Sequence, residues 1–331
     1  MSGDIVMKKL QALGVGAAWA LSLIAPGAHA ADYPTRPIRM IVGFSAGSIS
    51  DVTARLVVAE VEKEHTLGEK IIVENVPGAG ATLAANRVAK SAADGYTLLF
   101  AAMGHAVAPA LYSKLPYDTV KDFAGVATIA KAHVILVTQP GEKFKSVVDL
   151  IATAKANPGH YSFGSSGNGT FLHLLGESLA QDTGIKLLHV PYHSGSEAVT
   201  AVMSGNVDLA FCTVNTCLSQ IRAGQLKPLG YISDKRDPAA PDIPTFKELG
   251  VNFDVSSYNY VLAPAGTPPA VLDKLHAAFD AAVKSPAIEK QFARMGLEPF
   301  PSQDSEVVTG FVKSEVAHWG PVVRKIGLKV N

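Results

Sequence analysis

The chain has 331 residues, of which 48% are hydrophobic, and its 29 basic residues balance its 29 acidic residues. This balance provides no excess of positive charge for nucleic acid or for an anionic membrane, so we expect neither as a partner. The length exceeds what one hydrophobic core usually supports, which predicts two lobes.

The first 30 residues have the features of an export signal. Lys8 and Lys9 precede a long apolar stretch, and the small residues Ala28 and Ala30 suit a signal peptidase. We expect residues 1–30 to be removed, which leaves 27 basic and 28 acidic residues in a mature periplasmic protein. The alternative, an uncleaved membrane anchor, is disfavoured because the apolar run is short and ends in glycine and proline.

After this signal, strand-like and helix-like segments alternate. The first lobe is predicted to contain strands and helices at residues 38–42, 52–64, 70–74, 82–90 and 96–101. Units of this size predict a mostly parallel sheet with helices on both faces. A long extended stretch without a helical period follows at residues 123–138.

The same alternation restarts and predicts a second α/β lobe. Its predicted elements are residues 147–156, 161–164, 172–181, 187–190, 196–203, 207–212, 217–223 and 226–232. A second extended stretch, residues 253–263, precedes a helical tail at 270–326. The two extended stretches indicate that the chain leaves the first lobe, builds the second and returns, with a hinge near residues 133–136 and 255–258.

Three turns of small residues each follow a predicted strand. They are residues 43–51, 75–80 and 164–170. The start of a helix leaves unpaired N–H groups and the positive end of its dipole, and small residues let an anion approach both. No nucleophile and base lie beside the turns, so they predict anion capture and not catalysis. Taken alone, each glycine is also explained by a tight turn that requires a positive φ.

The chain has two cysteines, Cys212 and Cys217. Their spacing fits no zinc or redox motif, so we expect no metal and no cofactor. The pair forms either a local disulfide, which an oxidising compartment permits, or two buried thiols. We slightly favour thiols, because geometry and not spacing decides whether a disulfide closes.

An ordered set of motifs runs through the whole mature chain. Among them are Val73-Glu74-Asn75-Val76-Pro77-Gly78-Ala79-Gly80, Asp94-Gly95-Tyr96-Thr97-Leu98-Leu99, Gly167-Asn168-Gly169-Thr170, His189-Val190-Pro191-Tyr192 and Leu262-Ala263-Pro264-Ala265-Gly266-Thr267-Pro268. In this order they closely resemble the substrate-binding receptors of tripartite tricarboxylate transporters, the Bug family. No single motif is decisive, but the ordered set is specific.

The resemblance implies a two-lobed α/β periplasmic binding protein of type II, a Venus flytrap in which each lobe is a mixed sheet flanked by helices. Residues 31–134 and 257–331 would form lobe 1, and residues 135–256 would form lobe 2. A monomeric receptor of this kind binds a small carboxylate between its lobes and delivers it to integral membrane permease subunits, with no catalysis.

The resemblance also implies which residues face the ligand. In lobe 1 they would be Phe44, Ser45, Ala46, Gly47, Ser48, Ser50, Gly78, Ala79, Gly80, Gly104 and His105. In lobe 2 they would be Ser165, Ser166, Asn168, Gly169, Thr170, His193, Ser194, Cys212 and Thr213. For His105, packing at the start of a helix is the alternative.

Two departures from the family pattern bear on the ligand. Cys212 stands where the family often has an aspartate, and His193 where a lysine is frequent. A pocket with fewer fixed charges favours an aromatic or less polar acid over an amino acid, and neutral drift explains the two residues equally well.

Two other functions are alternatives to a transport receptor. A serine hydrolase needs a nucleophile elbow, but residues 164–167 lack the Gly-x-Ser-x-Gly spacing and no His and Asp partners are evident. A solute sensor, which presents its closed form to a signalling partner, would have the same site and a different outer surface.

Overall fold

The computed structural model describes residues 33–141, 144–253 and 255–329. The predicted signal segment, its cleavage point and the mature start at residue 31 lie outside these ranges. Within them, no helix combines the length and apolar character needed to cross a membrane.

The chain from the first strand to the first sheet crossing contains β1 (Ile38–Val42), α1 (Ile49–Lys63), β2 (Ile71–Asn75), a 3₁₀ turn (Ala79–Ala81), α2 (Thr82–Ala89), β3 (Thr97–Ala102), α3 (Met103–Leu111) and β4 (Phe123–Ala132). A helix start near His105 was considered, but the extent of helix α3 was not predicted. It contains Gly104 and Pro109, which are poor helix formers, and its apolar residues are buried on several sides, so the sequence shows no clear polar face.

The middle of the chain contains β5 (Val134–Thr138), α4 (Val147–Ala156), β6 (Ser162–Ser165), α5 (Phe171–Thr183), β7 (Leu188–Pro191), α6 (Gly195–Met203), β8 (Leu209–Cys212), α7 (Val214–Arg222) and β9 (Lys227–Ile232). Side chains of Ser146 and Ser194 cap α4 and α6, and Gly184, with a φ of 69°, ends α5. These local signals explain why the predicted elements of the second lobe are confirmed.

The last part of the chain contains β10 (Ser257–Pro264), α8 (Pro269–Val283), α9 (Pro286–Met295), β11 (Leu297–Pro299) and α10 (Ser305–Lys325). The predicted helical tail is therefore three helices and a short strand. Ser285 caps α9, and Gly296, with a φ of 68°, ends it.

Two mixed sheets organise these elements, as predicted. The first has the strand order β11-β4-β10-β3-β1-β2, and the second has the order β7-β6-β8-β5-β9. In the first sheet β1 is parallel to β2 and β3, and β10 is antiparallel to β3 and β4. The second sheet repeats this pattern, with β6 parallel to β7 and β8, and β5 antiparallel to β8 and β9.

The chain changes sheets at two places. His133 alone separates β4 from β5, so the long extended stretch is two strands in two sheets. The return lies between Ile232 and Ser257. His133 ties the two crossings together, because its Nδ1 atom lies 3.1 Å from the Ile232 carbonyl oxygen and 3.0 Å from Ser256 Oγ.

Hydrophobic packing continues from one sheet to the other through α10. Val308 and Val312, near its start, pack with the first sheet. Trp319, which is fully buried, belongs instead to a cluster that includes Phe163 of the second sheet, and its ring contacts that of Phe171. Helix α10 therefore contacts both halves of the molecule.

Candidate functional site

The parallel strands of each sheet bring the predicted turns to one edge. In the first sheet β1, β2 and β3 run in the same direction, and each leads into a helix, β1 and β2 through a turn and β3 directly. In the second sheet β6, β7 and β8 do the same. Ligands of open α/β sheets bind at the carboxyl ends of such strands, so each half presents one candidate binding edge.

The first turn, residues 43–48, is held by a buried carboxylate. Asp51 is 3% exposed and accepts hydrogen bonds from the Gly47 N–H (2.9 Å), Arg55 Nε (3.0 Å) and Asn75 Nδ2 (2.8 Å). Burial raises the pKa of Asp51, but these hydrogen bonds outweigh it and lower the net pKa. Asp51 therefore fixes the turn above the first turn of α1.

The second turn has an unusual backbone. Gly78, Ala79, Gly80 and Ala81 all have positive φ values, of 134°, 46°, 59° and 73°. The two alanines occupy a region that L-residues avoid at a cost of roughly 1–2 kcal/mol each. Such strain is concentrated at ligand-binding sites, so it supports this turn as part of the candidate site.

Close contacts join the lobe 1 turns to each other. Asn75 Nδ2 donates to the Phe44 carbonyl oxygen at 2.9 Å, which links the second turn to the first. At the start of α3, a Cβ atom on Gly104 would lie 3.2 Å from the Gly80 carbonyl oxygen. The sequence-predicted residues Ser45, Ala46, Gly47, Gly78, Ala79 and Gly80 are exposed at this edge.

In lobe 2, the turn after β6 is closed on itself by hydrogen bonds. Ser165 Oγ accepts the Gly167 N–H at 3.1 Å, and Thr170 Oγ1 donates to the Gly167 carbonyl oxygen at 2.8 Å. The Gly169 N–H donates to His173 Nδ1 at 3.0 Å. Two of the backbone donors that the sequence suggested for an anion are therefore used internally, while Asn168 is exposed.

The turn after β7 begins α6 with a reciprocal cap. Ser194 Oγ accepts the Glu197 N–H at 3.1 Å, and Glu197 Oε2 accepts the His193 N–H at 3.0 Å. The His193 side chain is exposed. This arrangement keeps the imidazole of His193 at the edge and commits the Ser194 hydroxyl to the helix.

The turn after β8 contains the cysteines. Cys212 and Cys217 form a disulfide, so the preference for two thiols was wrong. Cys212 is the last residue of β8 and Cys217 lies in α7, with Cα atoms 6.1 Å apart, a distance that the spacing alone did not establish. Thr213 Oγ1 lies 2.7 Å from Thr216 Oγ1.

Four predicted side chains lie inside the lobes instead of at the edge. Ser50, Ser165 and Cys212 are at most 6% exposed. His105 is 4% exposed among Tyr117, Phe123 and Tyr260, and its Nε2 atom lies 3.0 Å from the Thr119 carbonyl oxygen. Burial lowers the pKa of His105 to about 4. The alternative of packing at the start of the helix describes His105.

Several residues that support the edge were missed by sequence reasoning. Asn75 and Arg55 brace the first turn, and His173 and His189 contact the turn after β6. Asn75 and His189 lie within two of the motifs named above, and this position could have identified them as residues near the site. His173 lies on the buried face of α5, so its position in the helix alone indicates packing and not support of a turn.

Two features limit the chemistry of the edge. Among the described residues, no group of three or more His, Cys, Asp or Glu side chains is arranged to hold a metal. Ser165 Oγ lies 2.6 Å from His189 Nε2, but the serine is fully buried and its oxygen already accepts the Gly167 N–H. This serine and histidine therefore do not form the exposed nucleophile that a hydrolase requires.

Comparison with known proteins gives the family. The model of the tripartite tricarboxylate transporter family receptor matches residues 53–328. The chain belongs to this receptor family. The protein BugT of Bordetella pertussis is 35% identical over 311 residues, which cover 93% of this chain and 94% of BugT. The receptor is thus related to the Bug proteins, as the motifs predicted, and its family is one of periplasmic solute receptors and not of enzymes.

Solved structures agree with this assignment. MatC from Rhodopseudomonas palustris, with bound malate, is 31% identical with a TM-score of 0.67, and the match covers 88% of the receptor and all of MatC. Rpa4515 from R. palustris, with adipate, is 29% identical with a TM-score of 0.70 over 90% of the receptor and all of that chain. The predicted periplasmic binding protein fold is confirmed.

Proposed function

We propose that the receptor captures a small carboxylate between its two lobes and delivers it to integral membrane permease subunits. The observation that carries the proposal is the repeated edge: in each sheet three parallel strands lead into helices at the same edge, and the connections after β1, β2 and β6 are turns rich in small residues. Such an edge offers backbone N–H groups and helix dipoles to an anion from two sides.

Two lobes would close about the ligand. Lobe 1 comprises residues 31–134 and 257–331, and lobe 2 comprises residues 135–256. The change of sheet at His133, one residue before the proposed boundary, and the return before Ser257 support this division. Two strand connections that lie side by side form a natural hinge, because small φ and ψ changes in few residues move the whole lobe.

Backbone amides and hydroxyl groups would hold the carboxylate, without a clamp of arginine or lysine. The three small-residue turns contain no basic residue, and the nearby Arg55 is already bound to Asp51 and Asn75. A micromolar affinity corresponds to roughly −8 kcal/mol, which several charge-assisted N–H bonds and the desolvation of a small ligand supply.

The related structures support a carboxylate as the ligand class, since MatC is described with malate and Rpa4515 with adipate. Cys212 is uncharged in its disulfide and 3% exposed, so it offers no carboxylate to a ligand amine. This favours an acid without an amino group, either a dicarboxylate or an aromatic acid.

Native mass spectrometry of the protein purified from the periplasm of its host is expected to show a co-purified acid. Isothermal titration calorimetry with malate, adipate and benzoate then gives the affinity. Gly78→Val and Gly167→Val are expected to abolish binding, because both glycines have φ values of the left-handed region and lie in the turns. The same samples give the mature N-terminus, expected at residue 31.

Gly159→Val is the matched control. Gly159 also has a positive φ, 74°, but it precedes the amino end of β6, far along the strand from the candidate edge, and nothing lies within 4 Å of its Cβ position. Its valine variant also places a side chain at a positive φ and is expected to bind normally. Normal binding by both edge variants would place the site elsewhere.

A further inference from the structure

Two stacked histidines brace the lobe 2 turn from behind. His173 of α5 and His189 of β7 lie with ring centroids 3.7 Å apart and ring planes 11° from parallel. Both rings reach the same turn: His173 Nδ1 accepts the Gly169 N–H at 3.0 Å, and His189 Nε2 lies 2.6 Å from Ser165 Oγ. The pair therefore fixes the start and the end of the turn.

The hydrogen bond from Gly169 determines the protonation of His173. A nitrogen that accepts an N–H bond must have a free lone pair, so the single ring proton is on Nε2. A second proton can enter only at Nδ1, where it replaces the Gly169 N–H as the partner of that lone pair. Binding one proton from solvent thus breaks the bond between the ring and the turn.

The surroundings favour the uncharged pair. His173 is 6% exposed, and burial lowers its pKa. Burial and the neighbouring His173 lower the pKa of His189 to about 4. Two imidazolium rings stacked at 3.7 Å would also repel each other strongly.

Few charged groups face the pair from the elements packed around it. On α5 itself, Glu177 Oε1 lies 3.9 Å from His173 Nε2, and burial raises the pKa of this glutamate. Lys325 of α10 acts on Glu177. From β6 the neighbours are Phe163 and Ser165, and from the C-terminal tail Leu328 approaches Gly169. Among the residues that the structure describes, Glu177 is the anionic group close to His173, and its charge would favour protonation of the ring.

We propose that the uncharged His173 and His189 pair positions the lobe 2 turn for ligand capture, and that protonation of His173 releases this turn and weakens binding. Both are positioning residues, since they act on the ligand through the backbone of residues 165–170. This proposal rests on the proposed function, because it assigns the lobe 2 turn to the binding site.

The first test needs no ligand. Amide hydrogen exchange of Gly169, corrected for the intrinsic effect of pH, is measured by NMR at pH 7.5 and at pH 4.5. In the parent protein, exchange is expected to accelerate at least tenfold at the lower pH. His173→Asn retains an acceptor oxygen close to the Nδ1 position but does not titrate, so its exchange is expected to stay constant between the two pH values. His160→Asn replaces an exposed histidine at the other end of β6 and should behave as the parent.

The second test uses malate and adipate as probes, by calorimetry at the same two pH values. The parent is expected to lose at least tenfold more affinity at pH 4.5 than His173→Asn does. Protonation of the acid itself is common to both proteins and cancels in this comparison. His189→Gln, which keeps a polar partner for Ser165, is expected to fall between them.

The outcomes separate the two proposals. Unchanged protection of Gly169 in the parent, at a pH where NMR shows His173 to be charged, overturns the role of the histidine pair whatever the ligand is. An equal loss of affinity in parent and His173→Asn also overturns it. If neither acid binds at pH 7.5 while Gly169 exchange responds as expected, the ligand class proposed above is wrong and the histidine pair remains.

Discussion

The leading turns of the two lobes have the same place in the fold but are held by opposite chemistry. In lobe 1 the turn after β1 is anchored to a charged cluster, Asp51 with Arg55 and Asn75. In lobe 2 the turn after β6 is anchored to two imidazole rings that are uncharged at neutral pH. One topology therefore specifies where a turn lies, and unrelated side chains specify how rigidly and over which pH range it is held.

The comparison predicts the largest effect for Asp51. Asp51→Ala removes the acceptor of three hydrogen bonds, one of them from a charged guanidinium, and leaves the Gly47 N–H without this partner. We expect a loss of about 2–3 kcal/mol in the free energy of unfolding and no binding of acids. Urea unfolding measures the first and calorimetry the second.

Glu62→Ala is the control for this variant. Glu62 also accepts a backbone N–H, that of Ile71 at 2.8 Å, but at the other end of α1. It is expected to lose some stability and to bind normally. Full binding by Asp51→Ala would show that the lobe 1 turn needs no charged anchor.

The disulfide is a second difference between the lobes, because the strand end after β8 is cross-linked and the corresponding one after β3 is not. Replacing both cysteines with serine is expected to cost about 2 kcal/mol, the value for a loop of this length in the chain-entropy description. Unfolding in urea with and without reductant measures it. The value would be supported if reduction lowered the stability of the parent by this amount, to that of the double variant. It would be contradicted if the reductant left the stability of the parent unchanged.

The groups that anchor the two turns lose their contributions to stability at different pH values. The lowered pKa of His189, about 4, means that its contribution to stability is complete above the unfolded value near 6.5 and is lost as the pH falls towards 4. Asp51, whose pKa is lowered from that of a free aspartate, keeps its contribution to a lower pH. Because His189 is partly exposed, we expect only about 1 kcal/mol from it.

Thermal unfolding of the parent and of His189→Gln, measured between pH 7.5 and pH 4, checks this expectation from the difference between their stabilities. His189→Gln is expected to lose less stability in acid than the parent. His105→Gln separates the contribution of lobe 1, since the pKa of the buried His105 is also lowered to about 4. Parallel pH profiles of parent and His189→Gln would contradict the assignment.

The smallest effect is expected at the contact between the two halves. Glu298 of β11 accepts a hydrogen bond from Lys235 Nζ at 2.7 Å, and its carboxylate lies 2.9 Å from His133 Nε2. Nearby, Lys131 Nζ lies 3.5 Å from Asp234 Oδ1. Lys235 is 68% exposed, so Lys235→Gln is expected to cost about 0.5 kcal/mol and to weaken the salt dependence of unfolding.

Glu298→Gln changes the other partner of the Glu298 and Lys235 ion pair, and its effect is expected to be larger than that of Lys235→Gln. Burial raises the pKa of Glu298, but hydrogen bonds from His133 and Lys235 outweigh it and lower the pKa to about 2. Small-angle scattering of both variants compares their domain closure with that of the parent. A change in closure with Glu298→Gln and none with Lys235→Gln would assign the effect to His133 at the crossing.

The sequence predicted most strands and helices, because alternating apolar runs, serine caps and glycine ends are local signals. It also predicted the two crossings, since an extended stretch without a helical period cannot be a helix that covers a sheet. It did not predict the extent of α3, and it did not predict β11. The first lacks a polar face, and the second is three residues long, with a strand character that arises only from pairing with β4.

The candidate site was predictable only in part. Ser45, Gly78 and Asn168 are exposed in the turns, because small residues after a strand mark the edge directly, and their contact with a ligand stays a prediction. His105, Ser165 and Cys212 were assigned to the ligand but are buried, because sequence position gives the turn and not the direction of a side chain. The partners Asp51 with Asn75, and His173 with His189, lie 24 and 16 residues apart, so no local pattern joins them.

By itself, the sequence determined the family, the alternation of strands and helices and the position of the small-residue turns, since each is written in consecutive residues. The tertiary structure alone decided which N–H groups of the turns are used internally, that the cysteines are joined, and that a charged cluster holds one turn and an uncharged histidine pair the other. These features depend on distances between residues far apart in the chain, and such distances exist only once the strands are paired and the helices are packed on the sheets.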